Sequence, residues 1–463
     1  MPGLDSAISL LRQFFPPDLS YSYIRAETAP LFETLEIAAG AMFLALIIGL
    51  LFSLIIGARL PGSRALYALL TSFRSIPDLT LAILCVVLVG LGPSAGTLAL
   101  TLFYSAAMGK IFADLFSSAD PCAIEALHAT GATRTMVAFY GLLPLRLKDL
   151  LTYGGYEFES AIRASVIVGA VGAGGIGTEL VGSLNMTDYH RATTLIIMLV
   201  ALIASVDFLG FYVRRQPRLL LVLAAFGAAA AWHHWPHLRV VAQALKTFRT
   251  MVPPQLPAEA VRQLPTLIGE TLLIAVGGTL MAVICAVPLG VAAARNISPL
   301  FVSFPVRRLL EALRAVPEIV WGLILVGIAG LGPRVGILAL GLHSAGSLGK
   351  LYAESLENVA AEPVMAMAST GGSTLSIAGF AVLPLAFAPM TVHTLFRFEW
   401  NMRAATIVGM IGAGAIGGAL FNAQQLFFYR QMMAYVLITW AMIMITDAAN
   451  VRLRKYWRVS EDL

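Results

Sequence analysis

Two glutamate–arginine pairs stand out in a chain that is otherwise sparing with charge. Glu159 precedes Arg163 and Glu399 precedes Arg403, each by four residues, the spacing that puts two side chains on one helix face where they can pair. Both pairs lie in apolar stretches. An ionisable residue at membrane depth is costly and faces a bundle interior or a watery path. Three chemistries fit: a structural ion pair locking a bundle, a cation lining a pathway for an anion, or a pair sitting at the membrane interface.

A glycine ladder follows each arginine. RASVIVGAVGAGGIG covers 163–177 and RAATIVGMIGAGAIG covers 403–417. Gly172, Gly174 and Gly177 fit G-x-G-x-x-G, with Gly175 between them, and so do Gly412, Gly414 and Gly417. A dinucleotide fingerprint has to follow a strand and open the helix of a βαβ unit. Here the ladder ends a long apolar run instead, which argues against a nucleotide site. Two readings remain. Small residues let helix backbones approach closely in lipid, and they also let a helix end bend or break beside a pathway.

The other candidate groups are weaker signals. Arg74 and Arg314 stand one turn before Pro77 and Pro317. The prolines are candidate kinks, since proline removes a helix hydrogen bond and clashes with the preceding turn. The arginines are then either snorkelling cations at a helix end or attractors of an anion. Lys110 with Asp114 and Lys350 with Glu354 are i,i+4 pairs suited to a structural role. Cys85, Cys122 and Cys285 have no ligand spacing, so neither a metal nor a disulfide framework is implied. No nucleophile–base set points to an enzyme. No basic face with exposed aromatics points to nucleic acid.

These residues have to be carried by membrane helices. Hydrophobic residues make up 58% of the chain and charged ones 12%, with a mean hydropathy of +0.82, against about 25% charged in a soluble protein. The start, MPGLDSAISLLRQFFPPDLS, lacks the basic head, apolar core and cleavage site of a signal peptide. Self-comparison then shows a duplication. A shift of 240 maps Arg163 onto Arg403, Arg74-Ser-Ile-Pro77 onto Arg314-Ala-Val-Pro317, Gly90-Leu-Gly-Pro93 onto Gly330-Leu-Gly-Pro333, Gly109-Lys110 onto Gly349-Lys350 and Asp207 onto Asp447. Nearer each start, a shift of 237 maps Glu33-Thr34-Leu35 onto Glu270-Thr271-Leu272. The fold expected is an all-α polytopic membrane protein with a unit of five helices repeated in tandem.

In the first copy the spans are expected near 34–58, 65–91, 95–118, 147–172 and 192–213. In the second they are expected near 270–294, 305–331, 335–358, 387–412 and 432–453. Five is odd, so two copies the same way up need one more crossing. Residues 219–235 supply it, with Trp232 and Trp235 suited to an interface. That gives about 11 spans: a first unit at 1–215, a linker at 216–250 and a second unit at 251–463. Basic residues such as Arg59, Arg64, Arg134, Arg146, Arg214, Arg215, Arg307, Arg308, Arg454 and Arg458 crowd the ends that should be cytoplasmic. This places the N-terminus outside and the C-terminus inside. Arg239, Lys246, Arg249 and Arg262 run against that pattern.

One loop carries a further signal. EALHATGATRTMVAFYGLLP (125–144) reads as a short exposed helix, a break at Gly131 and Leu143-Pro144 before the next span, a shape that suits docking into a partner's groove. Its Glu125, Ala126, Gly131, Leu143 and Pro144 resemble the EAA loop of ABC-importer permeases, within the stretch 121–145. The second copy, at 361–385, keeps Gly371, Leu383 and Pro384 but has Met365 in place of the glutamate. Arg74-Ser-Ile-Pro77, Gly349-Lys350-Leu-Tyr-Ala-Glu354 and Glu399-Trp-Asn-Met-Arg403 extend the resemblance to phosphonate-type permeases, once per half.

The resemblance implies a type I importer permease with two units fused in one chain, in a bacterial inner membrane. It implies coupling through both loops to two cytoplasmic ATPase subunits, and delivery of a small phosphorus oxyanion, a phosphonate or phosphite, by an extracytoplasmic binding protein. It implies no catalytic residue and no cofactor on this chain, with ATP and Mg on the ATPases. The chain has no G-x-x-x-x-G-K-[ST]: Gly109-Lys110 is followed by Ile111 and Gly349-Lys350 by Leu351. The competing class is an ion-coupled secondary anion transporter with internal repeats, which would need no docking loop.

Overall fold

The computed structural model describes residues 12–213, 217–236 and 238–456. Those residues are helical with short connections and include no strand. Contacts divide the chain into two compact units, one running to Pro253 and one from Pro254. Arg214, Arg215 and Arg458 fall outside the described residues, as do the side chains of Asp207, Arg218, Arg239 and Lys455.

The first unit opens with α1 (Tyr21–Gly57), a 37-residue helix. At a rise of about 1.5 Å per residue it is roughly 55 Å long, more than the ~30 Å hydrocarbon layer needs. Next come α2 (Ser63–Arg74) and α3 (Asp78–Val89), which meet at 90°. α4 (Pro93–Ser117) leads to the nine-residue loop helix α5 (Pro121–Ala129). A π-turn then runs into α6 (Leu143–Gly169), followed by α7 (Ile176–Asn185) and α8 (Tyr189–Val213). Two more helices, α9 (Pro217–His234) and α10 (Leu238–Met251), belong to the same unit.

The second unit repeats the first eight helices, α1–α8, starting with its own long helix, α11 (Ala258–Ala293). α12 (Leu300–Ala315), α13 (Glu318–Ala329), α14 (Pro333–Glu357) and the loop helix α15 (Ala361–Ser369) follow. α16 (Leu383–Val408), α17 (Ala415–Gln425) and α18 (Tyr429–Tyr456) complete it.

The second span of each copy differs from expectation. In place of continuous helices at 65–91 and 305–331 there are two helices each, and Pro77 and Pro317 break the span rather than kink it. The residue before a proline is driven out of the α region and the proline has no N–H to continue the ladder. Pro77 and Pro317 accordingly sit in extended backbone, at φ −60°, ψ 143° and φ −57°, ψ 149°. Composition follows the break: α2 mixes polar and apolar residues, whereas α3 is apolar after Asp78 and mostly buried.

Among the described residues six helices are long and apolar enough to cross a membrane, or seven if the bent pair α2–α3 is one span. Length and composition alone do not reach the sequence count of about 11 spans. α6 carries Arg146, Lys148, Asp149, Glu157, Glu159 and Arg163 along its length. The apolar parts of α9 and α13, Leu219–His234 and Glu318–Ile328, fall short of the roughly 20 residues a span requires.

Glycines set the closest helix contacts, as expected where lipid removes any hydrophobic drive for helices to associate. A Cβ on Gly49 of α1 would lie 2.9 Å from the Gly109 amide of α4, and one on Gly290 of α11 would lie 3.2 Å from the Gly349 carbonyl of α14. The repeated Gly109-Lys110 and Gly349-Lys350 are thus packing positions. α9 seats on α1 in the same way: a Cβ on Gly40 would lie 2.9 Å from the Ala231 amide. His234 Nε2 lies 3.0 Å from Glu36 Oε2 in that contact.

Candidate functional site

Each glycine ladder is a helix break. α6 ends at Gly169, the chain turns, and α7 starts at Ile176. Gly172 and Gly174 take φ of +88° and +89°, and Gly412 and Gly414 take +118° and +79°, values that glycine adopts without the penalty a Cβ brings. Ala415 stands where the first copy has Gly175 and holds φ +61°. Gly177 and Gly417 have a different reason. A Cβ on either would run into the carbonyl of Val166 or Thr406 in the helix just left.

Three repeated motifs converge on this break. The Gly175 amide donates to Glu33 Oε1 at 2.8 Å and the Ile176 amide donates to Thr34 Oγ1 at 2.8 Å. In the second unit Ala415 N donates to Glu270 Oε2 at 3.0 Å and Ile416 N donates to Thr271 Oγ1 at 3.3 Å. Gly92 N donates to Gly172 O, and Gly332 N to Gly412 O, both at 2.9 Å. Glu-Thr-Leu, Gly-Leu-Gly-Pro and the ladder are therefore one clamp, built twice. A phosphate at a helix N-terminus would use those freed amide donors. Here a carboxylate and a hydroxyl already take them, a second reason why G-x-G-x-x-G is not a nucleotide site in this chain.

The second glutamate–arginine pair forms as its spacing predicts. Arg403 Nη2 donates to Glu399 Oε1 at 2.9 Å and to Asp447 Oδ2 at 3.0 Å, and Arg454 lies 3.9 Å from Glu399. Two cations and two carboxylates make a neutral group. Arg403 and Glu399 are each 7% exposed. A buried arginine with two carboxylates has its charge already met, which fits a lock joining α16 to α18. In the first unit Glu159 and Arg163 are half-buried on α6. Arg74 and Arg163 are the cations that act on Glu157, which precedes Arg163 by six residues on the same helix.

Arg74 closes α2, and Arg314 stands exposed in the last turn of α12. Cations there interact favourably with the negative end of the helix dipole, whatever else they do. Lys110–Asp114 and Lys350–Glu354 pair at 3.0 and 3.7 Å. His343 donates from Nδ1 to Val316 O at 2.9 Å and turns Nε2 toward Glu318, 3.7 Å away.

The two loop helices are exposed at their tips and anchored at their bases. Asp120 caps α5 by accepting from Cys122 N at 3.0 Å, and Gly131 at φ +82° ends it. Glu125 and Ala126 are exposed and no α5 residue is buried. Leu127 packs against Gly141 of the π-turn, where a Cβ would meet it at 2.6 Å. Leu143 is half-buried and Pro144 exposed at the start of α6. The second loop has the same form, with Gly371 at φ +80° and Leu383-Pro384 opening α16. Both loops present large apolar side chains: Tyr140 and Phe380 are each 77% exposed and occupy matching positions. Met365, at the place of Glu125, is 62% exposed.

Among the described residues no three His, Cys, Asp or Glu side chains converge to hold a metal ion. Sequence reasoning missed the part played by Glu33, Thr34, Glu270 and Thr271, though their repetition was visible. It also missed Arg397, which stands in α16 at the position of Glu157. Reading the two copies against each other for charge reversal would have found it.

The family described as binding-protein-dependent transport system inner membrane component matches residues 34–218 and again 286–459. The phosphate-import permease protein PhnE of Mycolicibacterium smegmatis is 31% identical over 446 residues, 91% of this chain and 83% of that protein. The phosphite transport system permease protein PtxC of Stutzerimonas stutzeri is 39% identical over 190 residues, 41% of this chain and 69% of that one. A solved chain of the MetNI methionine ABC transporter aligns at 16% identity and a TM-score of 0.41, over 44% of this chain and 100% of its own.

Proposed function

The chain belongs to the family of binding-protein-dependent transport system inner membrane components, and on that premise we propose that its two units form the membrane pathway of an importer for a small phosphorus oxyanion. The family is a permease component of an ABC transporter, not an enzyme, and ATP hydrolysis resides in partner subunits. The substrate class is carried by the relatives, which are named for phosphate and phosphite. Phosphonate remains within the same class.

The observation that supports coupling best is the pair of loop helices. Each is short, exposed, anchored through its base, and flanked by an unburied aromatic, Tyr140 or Phe380. A small helix held out on a firm base suits insertion into a partner's cleft. Two such loops fit two ATPase subunits, each holding ATP and Mg, with Glu125, Ala126, Gly131, Leu143 and Pro144 in one contact and Gly371, Leu383 and Pro384 in the other. Met365 makes the second contact more apolar than the first. This orientation puts both loops in the cytoplasm of a bacterium, the N-terminus outside with the solute-binding protein, and the C-terminus inside.

The charges take two roles in this reading. Arg403 and Glu399 act as a lock, and Glu159 with Arg163 is its counterpart. Arg74 and Arg314, at the broken second spans, lie beside Pro77 and Pro317, where a span with two arrangements would alternate. The clamped breaks at Gly172–Gly177 and Gly412–Gly417 hold the following helices α7 and α17 in place.

Co-purification with the ATPase and binding protein, followed by ATPase assays with phosphate, phosphite and methylphosphonate, tests this. Stimulation by a loaded binding protein is the expected result. A chain that purifies alone and moves solute without ATP would overturn it.

A further inference from the structure

Arg397 stands near the middle of the apolar run Ala378–Ala413, where a cation is expensive. Its surroundings differ from those of Arg403, one and a half turns along the same helix. Arg403 has carboxylates at 2.9 and 3.0 Å. Among the described residues Arg397 has no carboxylate within 4 Å; Glu318 is the carboxylate that acts on it from farther away. What it has is a relay. Arg397 Nε donates to Ser344 Oγ at 2.8 Å, Ser344 Oγ donates to Asn401 Oδ1 at 2.8 Å, and Asn401 Nδ2 donates to Thr279 Oγ1 at 2.9 Å. Thr279 Oγ1 passes its hydrogen to Ala275 O at 2.7 Å. Every link has one donor and one acceptor, so the chain of bonds has a single direction, from Nε to the Ala275 carbonyl.

The relay is costly to build. Ser344, Asn401 and Thr279 are 0%, 1% and 6% exposed, and buried polar groups in an apolar layer are tolerated only when bonded. The first unit avoids this altogether. At the three matching positions it has Tyr104, Ala161 and Met42, all buried, and at Arg397's position it has Glu157. The same fold therefore stands without the relay. The relay fixes the guanidinium by Nε and leaves the Nη1–Nη2 edge without a protein hydrogen bond among the described residues. That edge is the fork that grips two oxygens of a carboxylate or phosphate at once. Glu318, at the start of α13, is the carboxylate that acts on Arg397, and His343 of α14 lies 3.7 Å from that glutamate.

We propose that Arg397 is the oxyanion-binding cation of the second unit, oriented by Ser344, Asn401 and Thr279, and that the first unit has no equivalent. The substrate it takes is a tetrahedral oxyanion with two free oxygens for the fork. Glu318 repels the bound anion, so the site holds it weakly enough to release it. This deepens the transport function proposed above and rests on it.

The test uses the full chain with its ATPase and binding-protein partners in proteoliposomes, measuring ATP-driven uptake of phosphate, phosphite and methylphosphonate. Arg397→Gln should lower the maximal uptake rate roughly tenfold or more, the loss expected when a charged hydrogen-bond partner is removed. Accumulation and basal ATP hydrolysis should stay as in the unaltered chain. Arg397→Lys keeps the charge without the fork and should fall between the two. Ser344→Ala, which frees Nε, should slow uptake several-fold. In a Cys122→Ser/Cys285→Ser background, Arg397→Cys should regain uptake with an aminoethyl thiosulfonate reagent and not with its sulfonatoethyl counterpart. Equal uptake by Arg397→Gln and the unaltered chain, or equal effects of the two reagents, overturns the proposal. If Arg397→Gln does not accumulate, unchanged uptake in both Arg397→Lys and Ser344→Ala overturns it. Should the unaltered chain take up none of the three anions, the transport function itself fails, and this inference with it.

Discussion

The carboxylate of Glu33 accepts a 2.8 Å hydrogen bond from the amide of Gly175, 142 residues further along the chain. Glu270 does the same for Ala415. The bond ties the long first helix of a unit to the restart of a helix broken by glycines, and it supplies a partner to an amide that the break sets free. Glu33→Ala or Glu270→Ala should cost about 1–3 kcal/mol, the usual loss when a buried donor is left unsatisfied. A fall in the detergent melting temperature of each variant checks this; no change would mean water replaces the carboxylate.

Glycine positions in the ladder are not equivalent. Gly177→Ala and Gly417→Ala push a methyl into a backbone carbonyl, which cannot move aside as a side chain can. Both should fail to accumulate or melt far below the unaltered chain. Gly182→Ala, eight residues after Gly174 and with open space around it, should be neutral. Comparable accumulation of all three would refute the close-packing account.

Arg403→Gln removes the cation that bridges Glu399 and Asp447 and leaves Arg454 at 3.9 Å from Glu399. Breaking a buried pair in this way costs roughly 3–5 kcal/mol, so the variant should accumulate poorly. Adding Glu399→Gln should recover part of the loss. A variant that accumulates normally yet transports slowly would instead make Arg403 a pathway residue.

The coupling loops can be tested without harming the fold. Nothing lies within 4 Å of a Cβ on Gly131 or Gly371, and aspartate tolerates positive φ better than most residues. The double variant Gly131→Asp/Gly371→Asp should insert normally and lose ATP-driven uptake. Of the single variants, Tyr140→Ala and Phe380→Ala should each weaken retention of the ATPase on an affinity column. Full uptake by the double glycine variant would remove the loops from the coupling step.

Much of the architecture was legible because repetition is a strong signal. The 240-residue shift exposed the duplicated ladder, the prolines, the loop and Arg403 together, and the i,i+4 spacing of Glu399 and Arg403 was enough to predict their contact. What could not be read was long-range. No local pattern says that Glu33 caps a helix 142 residues away, or that Asp447 joins the Arg403 pair from another helix. The helix breaks at Pro77 and Pro317 were underestimated for a related reason. Apolar composition continues across each proline, so the run reads as one span, while the backbone restriction before proline turns it into two. Arg397 carries no repeat signal, because the shift sets it opposite Glu157, and its meaning lies in that difference.

Because α9 is seated on α1 through Gly40 and Ala231, and α10 lies against α3 in the same unit, the seam of this chain falls after both connecting helices, at Pro253–Pro254. Each side of that seam contains its own clamp, its own broken span and its own loop helix. Two separately translated fragments, ending and beginning there, would each keep every contact described for them. Fusion contributes equal dosage of the two halves, and frees each half to diverge, as Glu157 and Arg397 have.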